Sequence, residues 1–231
     1  MSKLKDKDVK VIGICGPAQA GKDTAGRFMA QQIINSDDYN MQEHVVALES
    51  FAAPIKSMVA MLLDFHGYGS VMNPDKLNVY LEGDQKEEVL DRIGVSTRRL
   101  MQTIGTEWGR EMIKDSIWLD CMEGRIGQFD EAKKHGHPGA IVIITDVRFD
   151  NEAEMIKRNG GVIVRIDSDR DTIPEHASEA GVSECLVDTV IDNSDDIDTF
   201  YARVLSYLEG LLECKLYEEP VSEEATGNEK D

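Results

Sequence analysis

The sequence predicts an α/β fold in which helices flank a five-stranded parallel sheet. Segments with the pattern of a β-strand alternate with helical segments over most of the 231 residues. The predicted strands are apolar almost without interruption, which is typical of a parallel sheet covered on both faces. A glycine-rich turn joins the first strand to the first helix, as expected at the start of an α/β domain.

The first strand, the turn and the start of the first helix occupy residues 9–28. The strand is β-branched up to Gly16, and Gly21 and Lys22 complete the spacing G-x-x-x-x-G-K. Such a loop points successive backbone N–H groups and the positive end of a helix at one position. We therefore predict a nucleotide phosphate site, with a plain strand–turn–helix corner as the alternative. The predicted site residues are Gly16, Ala20, Gly21, Lys22, Asp23 and Thr24.

The first helix is predicted over 24–34. A strand over 44–48 and a second helix over 54–66 are predicted to follow it. Lys56 lies in the first turn of the second helix, just beyond a strand, where ligands bind in open α/β sheets. Its ammonium group is either a ligand for an anion or a solvated surface charge. The same helix carries apolar residues at helical spacing, which predicts core packing for Met58, Met61, Leu62 and Phe65.

A further helix is predicted to begin at Ser96, whose hydroxyl can cap it. Arg98 and Arg99 follow near its N-terminal end. Adjacent residues on a helix cannot face the same way, so at most one of these arginines points squarely at a given site. The alternative is a solvated surface pair. The helical pattern is interrupted at residues 105–106 and resumes through Trp118.

The apolar run 140–145 predicts a buried strand that ends in Asp146. An aspartate in this position, downstream of a phosphate loop, can hold Mg²⁺ or its water against the phosphates; a helix cap or turn is the alternative. Arg148 lies at the same strand end. Glu152 follows in the first turn of a short helix and is either part of the site or a favourable charge for the helix dipole.

The remaining elements are a helix over 151–159, strands over 162–166 and 187–191, and a last helix over 196–212. Asn193 lies in the turn between the last strand and the last helix. The last helix has clean helical spacing of apolar residues, which predicts burial of Ile197, Phe200, Val204, Leu208 and Leu211.

Composition is that of an ordinary globular protein, with 41% hydrophobic and 30% charged residues. The formal charge of -19 argues against nucleic acid as a partner, because such binding depends on Lys and Arg neutralising phosphates. No apolar run approaches the roughly 20 residues that span a membrane, and the polar N-terminus lacks a signal-peptide pattern. We therefore expect no membrane association and a cytoplasmic location.

We expect one domain over residues 1–215 and an acidic disordered tail over 216–231. The segment 67–94 is polar and acidic with little periodicity, and it predicts an insertion or mobile flap. In this division residues 67–139 form a largely helical insertion.

Together these motifs resemble those of the bacteriophage deoxynucleoside monophosphate kinases, a branch of the P-loop kinases. One shared feature is the pair Asp23-Thr24. This pair is unusual, because Ser or Thr more commonly follows the lysine of a phosphate loop directly. The matching stretches are G-x-x-x-x-G-K-D-T at 16–24, A-x-P-I-K at 52–56, R-R-L-M-Q-x-x-G-T at 98–106, Trp118, D-x-R at 146–148 with Glu152, and H-x-x-E-A-G at 176–181.

The resemblance implies a P-loop NTPase-type three-layer sandwich with a helical monophosphate-binding and lid insertion. It also implies that ATP phosphorylates deoxynucleoside 5′-monophosphates to diphosphates, with Mg²⁺, in support of DNA replication. The acceptor nucleotides and ATP are the implied partners, and related kinases are often homodimers. If the chain is viral, the implied location is the host cytoplasm.

The resemblance also implies roles for individual residues. On the donor side, Lys22 and the loop hold the ATP phosphates, Asn193 borders the adenine, and Thr24 and Asp146 organise Mg²⁺. On the acceptor side, the implied ligands of the phosphate and nucleoside are Lys56, Arg98 or Arg99, Gly105, Thr106, Trp118, Asp146, Arg148 and Glu152. The charges implied in catalysis are those of Lys22, Arg98, Arg99 and Arg148.

Two other readings remain open. One is a P-loop kinase for another phosphorylated small molecule, such as phosphomevalonate or dephospho-coenzyme A. The other is a nucleotide-binding switch that hydrolyses slowly and signals to a protein partner. The guanine-specifying N-K-x-D motif is absent from the sequence, which weighs against a GTPase switch.

Overall fold

The computed structural model describes residues 9–36, 45–134, 139–169, 181–213 and 216. The predictions for the motif at 176–181, apart from Gly181, and for the tail beyond residue 216 therefore lie outside the described residues. Within the described ranges, none of the helices has the length and apolar character needed to cross a bilayer.

Five strands form one parallel sheet in the order β2-β3-β1-β4-β5, which confirms the predicted fold class. The central strand, β1, pairs with β3 on one side and β4 on the other. Because all strands are parallel, their carboxyl ends lie along one edge, where α/β proteins bind ligands. The strands are β1 Val9–Cys15, β2 Val45–Glu49, β3 Ala140–Ile144, β4 Val162–Asp167 and β5 Thr189–Asp192.

Seven α-helices are described, and those predicted from the sequence begin and end within a few residues of the expected positions, apart from the region around residues 103–117. Two 3₁₀ helices, Asp84–Glu87 and Glu184–Leu186, and a π-helix, Thr103–Ile113, are also described. The α-helices are α1 Lys22–Asn35, α2 Ala53–Phe65, α3 Asp75–Leu81, α4 Thr97–Gln102, α5 Ile117–Lys134, α6 Asp150–Arg158 and α7 Ile197–Leu212.

The sheet separates two apolar cores and so forms the middle of three layers. On one face, Ile12 and Ile14 of β1 pack in the same core as α1 and α7. On the other face, Val11 and Cys15 of β1 pack in the same core as α5 and α6. The alternation along β1 is the two-residue period of a strand with both faces buried.

A third, smaller core lies beside the sheet and is built by α2, α3, α4 and the segment that links them. Its centre consists of Val59 and Leu63 from α2 with Leu77, Leu81 and Leu90. The segment 67–94, expected to be an insertion or mobile flap, contains α3 and the 3₁₀ helix Asp84–Glu87, which fits a largely helical insertion. The helical pattern of this polar segment is weak in the sequence because only three of its leucines are needed to complete the small core.

The predicted core face of α2 is wrong. Val59 and Leu63 are fully buried, whereas Met58, Met61 and Phe65 are exposed, Phe65 by 85%. The helix packs on α3, so its buried stripe lies on the side that faces the small core. In α7, Phe200, Val204 and Leu208 are buried as predicted, but Ile197 is 50% exposed in the first turn.

The predicted interruption at residues 105–106 is a change in hydrogen bonding instead. The helix α4 continues directly into the π-helix Thr103–Ile113, which ends where the N–H of Lys114 donates to the carbonyl of Gly109 at 2.9 Å. The break in the helical path comes later, before α5 begins at Ile117. Wide π-turns of this kind are often found at functional sites.

Candidate active site

The loop between β1 and α1 has the geometry of a phosphate loop. Gly16 and Gly21 have φ values of 134° and 97°, in the left-handed region that side chains rarely adopt. A Cβ at Gly16 would collide with the carbonyl of Ile166, and one at Gly21 would lie 2.6 Å from Asn193 Nδ2. Both glycines are therefore required by the backbone and by the close approach of neighbouring strand ends.

Lys22 is the first residue of α1 and folds back over this loop. Its ammonium group donates to the carbonyl of Gly16 at 2.9 Å and also to that of Pro17. Burial lowers the pKa of Lys22, and the positive charge of Arg148 lowers it further. Asn193 braces the same loop, because its side-chain amide donates to the carbonyl of Ala20 at 2.8 Å. Asn193 therefore contacts the phosphate loop, and its place beside the adenine stays a prediction.

Asp146 follows β3 and joins the end of this strand to the start of α2. Its Oδ1 accepts a hydrogen bond from the N–H of Phe51 at 2.7 Å, and its Oδ2 accepts one from Ala52 at 3.0 Å. These two residues lead into α2, so the carboxylate fixes the helix that carries Lys56 against the end of β3. Burial raises the pKa of Asp146, while these backbone donors and nearby cations oppose the shift.

Glu152 holds the backbone of the D-x-R loop. The residue is 3% exposed, and its Oε2 accepts hydrogen bonds from the N–H groups of Arg148 at 2.8 Å and Phe149 at 3.2 Å. Its Oε1 lies 3.5 Å from Arg110 of the π-helix. The Arg110 guanidinium also lies 4.6 Å from the centre of the Phe149 ring. A single buried carboxylate thus links the π-helix to the loop that carries Arg148.

Glu152 should make stability depend on pH in a way that a glutamine would not. Burial raises the pKa of this carboxyl from about 4.5 to about 7. The folded protein therefore holds the proton more tightly than the unfolded chain, and the free energy of unfolding falls as pH rises between these values. In Glu152→Gln this loss is absent. We expect the difference in free energy of unfolding, variant minus wild type, to rise by up to about 3 kcal/mol between pH 5 and pH 8.

Urea unfolding at several pH values measures this difference directly. Glu123→Gln is the matched control, because Glu123 is an exposed carboxylate that pairs with Arg158 on the surface. The control difference should stay nearly constant over the same pH range. A Glu152→Gln difference that is also independent of pH would contradict the prediction.

Three cations predicted for the acceptor side are each paired with a carboxylate. Lys56 pairs with Glu82, Arg98 with Glu87 at 2.9 Å, and Arg99 with Glu107 at 2.8 Å. The adjacent arginines therefore point to different elements, as their spacing predicted: Arg98 towards the 3₁₀ helix Asp84–Glu87 and Arg99 towards the π-helix.

Lys86 is a further cation in this region. It is half-buried in the 3₁₀ helix Asp84–Glu87. Burial lowers the pKa of Lys86; Glu82 opposes the shift, and the positive charges of Lys56, Arg98 and Arg148 add to it. Arg148 therefore acts electrostatically on both Lys86 and Lys22, although its guanidinium makes no hydrogen bond or ion pair with any residue that the structure describes.

The predicted nucleoside residues lie around the π-helix. Gly105 is buried, and its carbonyl accepts a hydrogen bond from the indole N–H of Trp118 at 2.7 Å. Trp118 itself is 5% exposed and packs on Gly109, while Thr106 is exposed. Trp118 thus has a structural role in holding the π-helix, and its contact with a base stays a prediction.

A cavity of about 210 Å³ lies beside this tryptophan. Its wall is formed by the end of β2, the first turns of α2 and the inner side of α5. Trp118 lines it together with Phe51, Ser57 and Arg125. Because Phe51 is bound to Asp146, this cavity adjoins the carboxyl edge of the sheet.

The residues predicted for Mg²⁺ suit an ion bound mainly by nucleotide and water. Among the described residues, no group of three or more His, Cys, Asp or Glu side chains could form a protein cage for a metal. Mg²⁺ in kinases usually takes one or two carboxylates together with phosphate oxygens. Asp146 can supply one, since each of its oxygens keeps a lone pair beyond the backbone hydrogen bond it accepts.

A family model described as deoxynucleotide monophosphate kinase matches residues 72–204, more than half of the chain. The chain belongs to this family. A protein named "Putative deoxynucleotide monophosphate kinase" from Acanthamoeba polyphaga mimivirus is 28% identical over 207 residues, or 85% of this chain and 94% of that protein. The deoxynucleoside-5′-monophosphate kinase of Escherichia phage T5 is 26% identical over 151 residues, or 62% of this chain and 56% of that protein.

Solved structures of other kinases are more distant. Dephospho-CoA kinase from Campylobacter jejuni has a TM-score of 0.40 at 11% identity, over 89% of this chain and 98% of that one. Shikimate kinase from Bacteroides thetaiotaomicron has a TM-score of 0.35 at 15% identity, over 88% and 98%. TM-scores this low do not establish a shared fold, so the fold assignment depends on the observed sheet.

Two charged residues at the site of this member of the deoxynucleotide monophosphate kinase family, Arg110 and Lys86, were not predicted from the sequence. Arg110 contacts Glu152, which lies 42 positions away, and Lys86 joins cations from three other segments. Arg110 occurs in a stretch interpreted only as helix, and Lys86 is surrounded in sequence by acids. Neither position carries a local motif, so only the folded contacts reveal them.

Proposed function

We propose that the chain transfers the γ-phosphoryl group of ATP to the 5′-phosphate of a deoxynucleoside monophosphate and so supplies diphosphates for DNA synthesis. Family membership supports the reaction. The observation that carries the proposal is the position of Arg148 in the loop after β3. On one side this loop lies against the end of β1, where the N–H of Val147 donates to the carbonyl of Ile14 at 3.1 Å. On the other side Asp146 of the same loop holds the residues that lead into α2. The loop therefore adjoins both the phosphate loop and the helix that carries Lys56, and the nearby charge of Arg148 contributes to the lowered pKa of Lys22.

On the donor side, the ATP phosphates occupy the loop over Gly16, Ala20 and Gly21, and the ammonium group of Lys22 moves from the loop carbonyls to the phosphate oxygens. Backbone N–H groups and the N-terminus of α1 supply the rest of the positive potential. Asn193 keeps the loop in shape and borders the adenine. Asp23, which is exposed, and Thr24 lie in the first turn of α1.

The Asp146 carboxylate, directly or through water, and the Thr24 hydroxyl would hold Mg²⁺ together with ATP. Such an ion would supply positive charge beside the phosphates between which the group is transferred. The Asp146 carboxylate also keeps Ala52 and α2 in place, so it positions the acceptor side at the same time.

On the acceptor side, Lys56, Arg98 and Arg148 bind the monophosphate and stabilise the transferred group. The transition state spreads negative charge over the equatorial oxygens, so its stabilisation requires positioned cations and little covalent chemistry. Glu152 fixes the backbone that carries Arg148. Gly105, Thr106 and Trp118 line the nucleoside, next to the cavity between α2 and α5.

The test is ADP formation from ATP and Mg²⁺ with dGMP, dTMP, dCMP and dAMP offered one at a time. We expect ADP formation to depend on the added monophosphate and on Mg²⁺. A switch or simple ATPase would release ADP without an acceptor. Activity with dephospho-coenzyme A or phosphomevalonate but with none of the deoxynucleotides would overturn the proposed substrate class. A homodimer and a cytoplasmic location, the host's if the chain is viral, stay predictions.

Arg98 and Arg99 should have different effects when each is replaced by alanine. Arg98 acts on Lys86 together with Lys56 and Arg148, whereas Arg99 pairs with Glu107. We expect Arg98→Ala to raise the KM for the monophosphate by about 10- to 100-fold, as for the loss of a hydrogen bond to a charged group. Arg99→Ala should change it by less than about 3-fold, as for an exposed ion pair. Steady-state kinetics at saturating ATP measures both, and equal effects would contradict the assignment.

A further inference from the structure

Lys86 is fixed at its backbone beside the helix that carries Arg98. The hydroxyl of Thr97 donates to the carbonyl of Lys86 at 3.0 Å, and Thr97 is fully buried. Thr97 is also the first residue of α4 and directly precedes Arg98. A hydrogen bond from this buried residue therefore ties the 3₁₀ helix Asp84–Glu87 to the N-terminal end of α4.

The ion pairs on either side of Lys86 bring two more cations to the same place. Glu87, the next residue, pairs with Arg98 at 2.9 Å. Glu82, four residues earlier, pairs with Lys56 from the first turn of α2. The segment that contains Lys86 is thus joined at both ends to cations predicted for the acceptor phosphate.

Lys86 differs from those two cations because it has no such partner. Its ammonium group makes no ion pair or side-chain hydrogen bond with any residue in the described part of the chain. It is nevertheless half-buried, and Lys56, Arg98 and Arg148 all lie within electrostatic range of it, with Glu82 the carboxylate that opposes them. Glu82 and Glu87 already pair with Lys56 and Arg98, so the ammonium group of Lys86 is the charge here that lacks a paired carboxylate among the described residues. An unpaired cation in a partly desolvated place beside other cations is unfavourable, and an anion that binds there stabilises it.

We propose that Lys86 is a ligand of the 5′-phosphate of the acceptor nucleotide. The inference depends on the proposed function, because that reaction supplies an anion with two negative charges at this position. It makes the acidic segment 67–94 part of the acceptor site. Glu82 and Glu87 then hold Lys56 and Arg98 in place until the phosphate oxygens take over these contacts.

The experiment compares wild type with Lys86→Gln and with the matched control Lys76→Gln. Lys76 lies on α3 in the same segment and is exposed. The probe is the deoxynucleoside monophosphate with the highest kcat/KM for wild type, titrated by calorimetry without ATP. We expect the Kd to rise by about 10-fold or more in Lys86→Gln, as for a lost charge-assisted hydrogen bond, and to stay unchanged in Lys76→Gln.

Two further measurements separate a phosphate contact from a structural effect. The KM for ATP and the inhibition constant of the matching nucleoside, which lacks the phosphate, should be the same in all three proteins. Weaker binding of the nucleoside by Lys86→Gln, to the same degree as the monophosphate, would overturn the inference. Equal affinity of wild type and Lys86→Gln for the monophosphate would also overturn it and leave the proposed function standing. A wild-type protein that neither binds nor phosphorylates any deoxynucleotide would instead refute the proposed function.

Discussion

Lys22→Ala should lower kcat for monophosphate-dependent ADP formation by on the order of 10³-fold and leave the fold intact. Lys22 begins α1, and its ammonium group lies across the phosphate loop. In the proposed reaction its positive charge lies beside the negative charge that develops on the transferred phosphoryl group. Loss of the lysine therefore raises the free energy of the transition state more than that of the bound substrates. Its ammonium group donates to two loop carbonyls, which water can satisfy in the variant.

Lys157→Ala is the control for this experiment. Lys157 lies near the end of α6 and pairs with Asp188, at 2.7 Å to Oδ2, away from the phosphate loop. We expect this variant to lose some thermal stability and to keep its kcat. Circular dichroism and thermal unfolding of both variants check the fold. A folded Lys22→Ala protein with the wild-type kcat would refute the donor-site assignment.

Much of the fold could be predicted because the decisive signals are local. β3 is a run of five buried residues, and β1 is followed at once by Gly16, which has a positive φ. Strands of this kind can be stable only between two layers of helices. The same reasoning failed for α2, where the burial of Val59 and Leu63 depends on leucines from a later and mostly polar segment.

The candidate site divides in the same way. Lys22, Asp146 and Arg148 could be proposed from sequence because Asp146 and Arg148 lie in the loop that follows β3, and Lys22 ends the loop that follows β1. The sheet fixes the strand ends from which both loops start. The pairing of Lys56 with Glu82, and the place of Lys86 beside Arg98, depend on how the small core packs against the sheet. No local pattern encodes that packing. Arg110 is similar, since its partner Glu152 is brought near by the contact between the π-helix and α6.

Arg148→Ala should lower kcat by about 10²- to 10³-fold, with a smaller effect on the KM of either substrate. The guanidinium lies within electrostatic range of Lys22 on the donor side and Lys86 on the acceptor side. Charge is spread over the transferred group between the two substrates in the transition state, so a cation at this position stabilises that state more than either bound nucleotide. The main-chain N–H that donates to Glu152 is retained in the variant, so the loop should keep its shape.

Arg148→Lys and Arg158→Ala complete the test. Lysine keeps the positive charge but loses the planar fork that can contact oxygens of two groups at once, so we expect only partial recovery of kcat. Arg158 lies on α6, is exposed and pairs with Glu123, so Arg158→Ala should keep the wild-type kcat and both KM values. If Arg148→Ala raised only the KM for ATP, or only the KM for the monophosphate, and left kcat unchanged, the arginine would serve one nucleotide alone. The shared position that carries the proposed phosphoryl transfer would then be refuted.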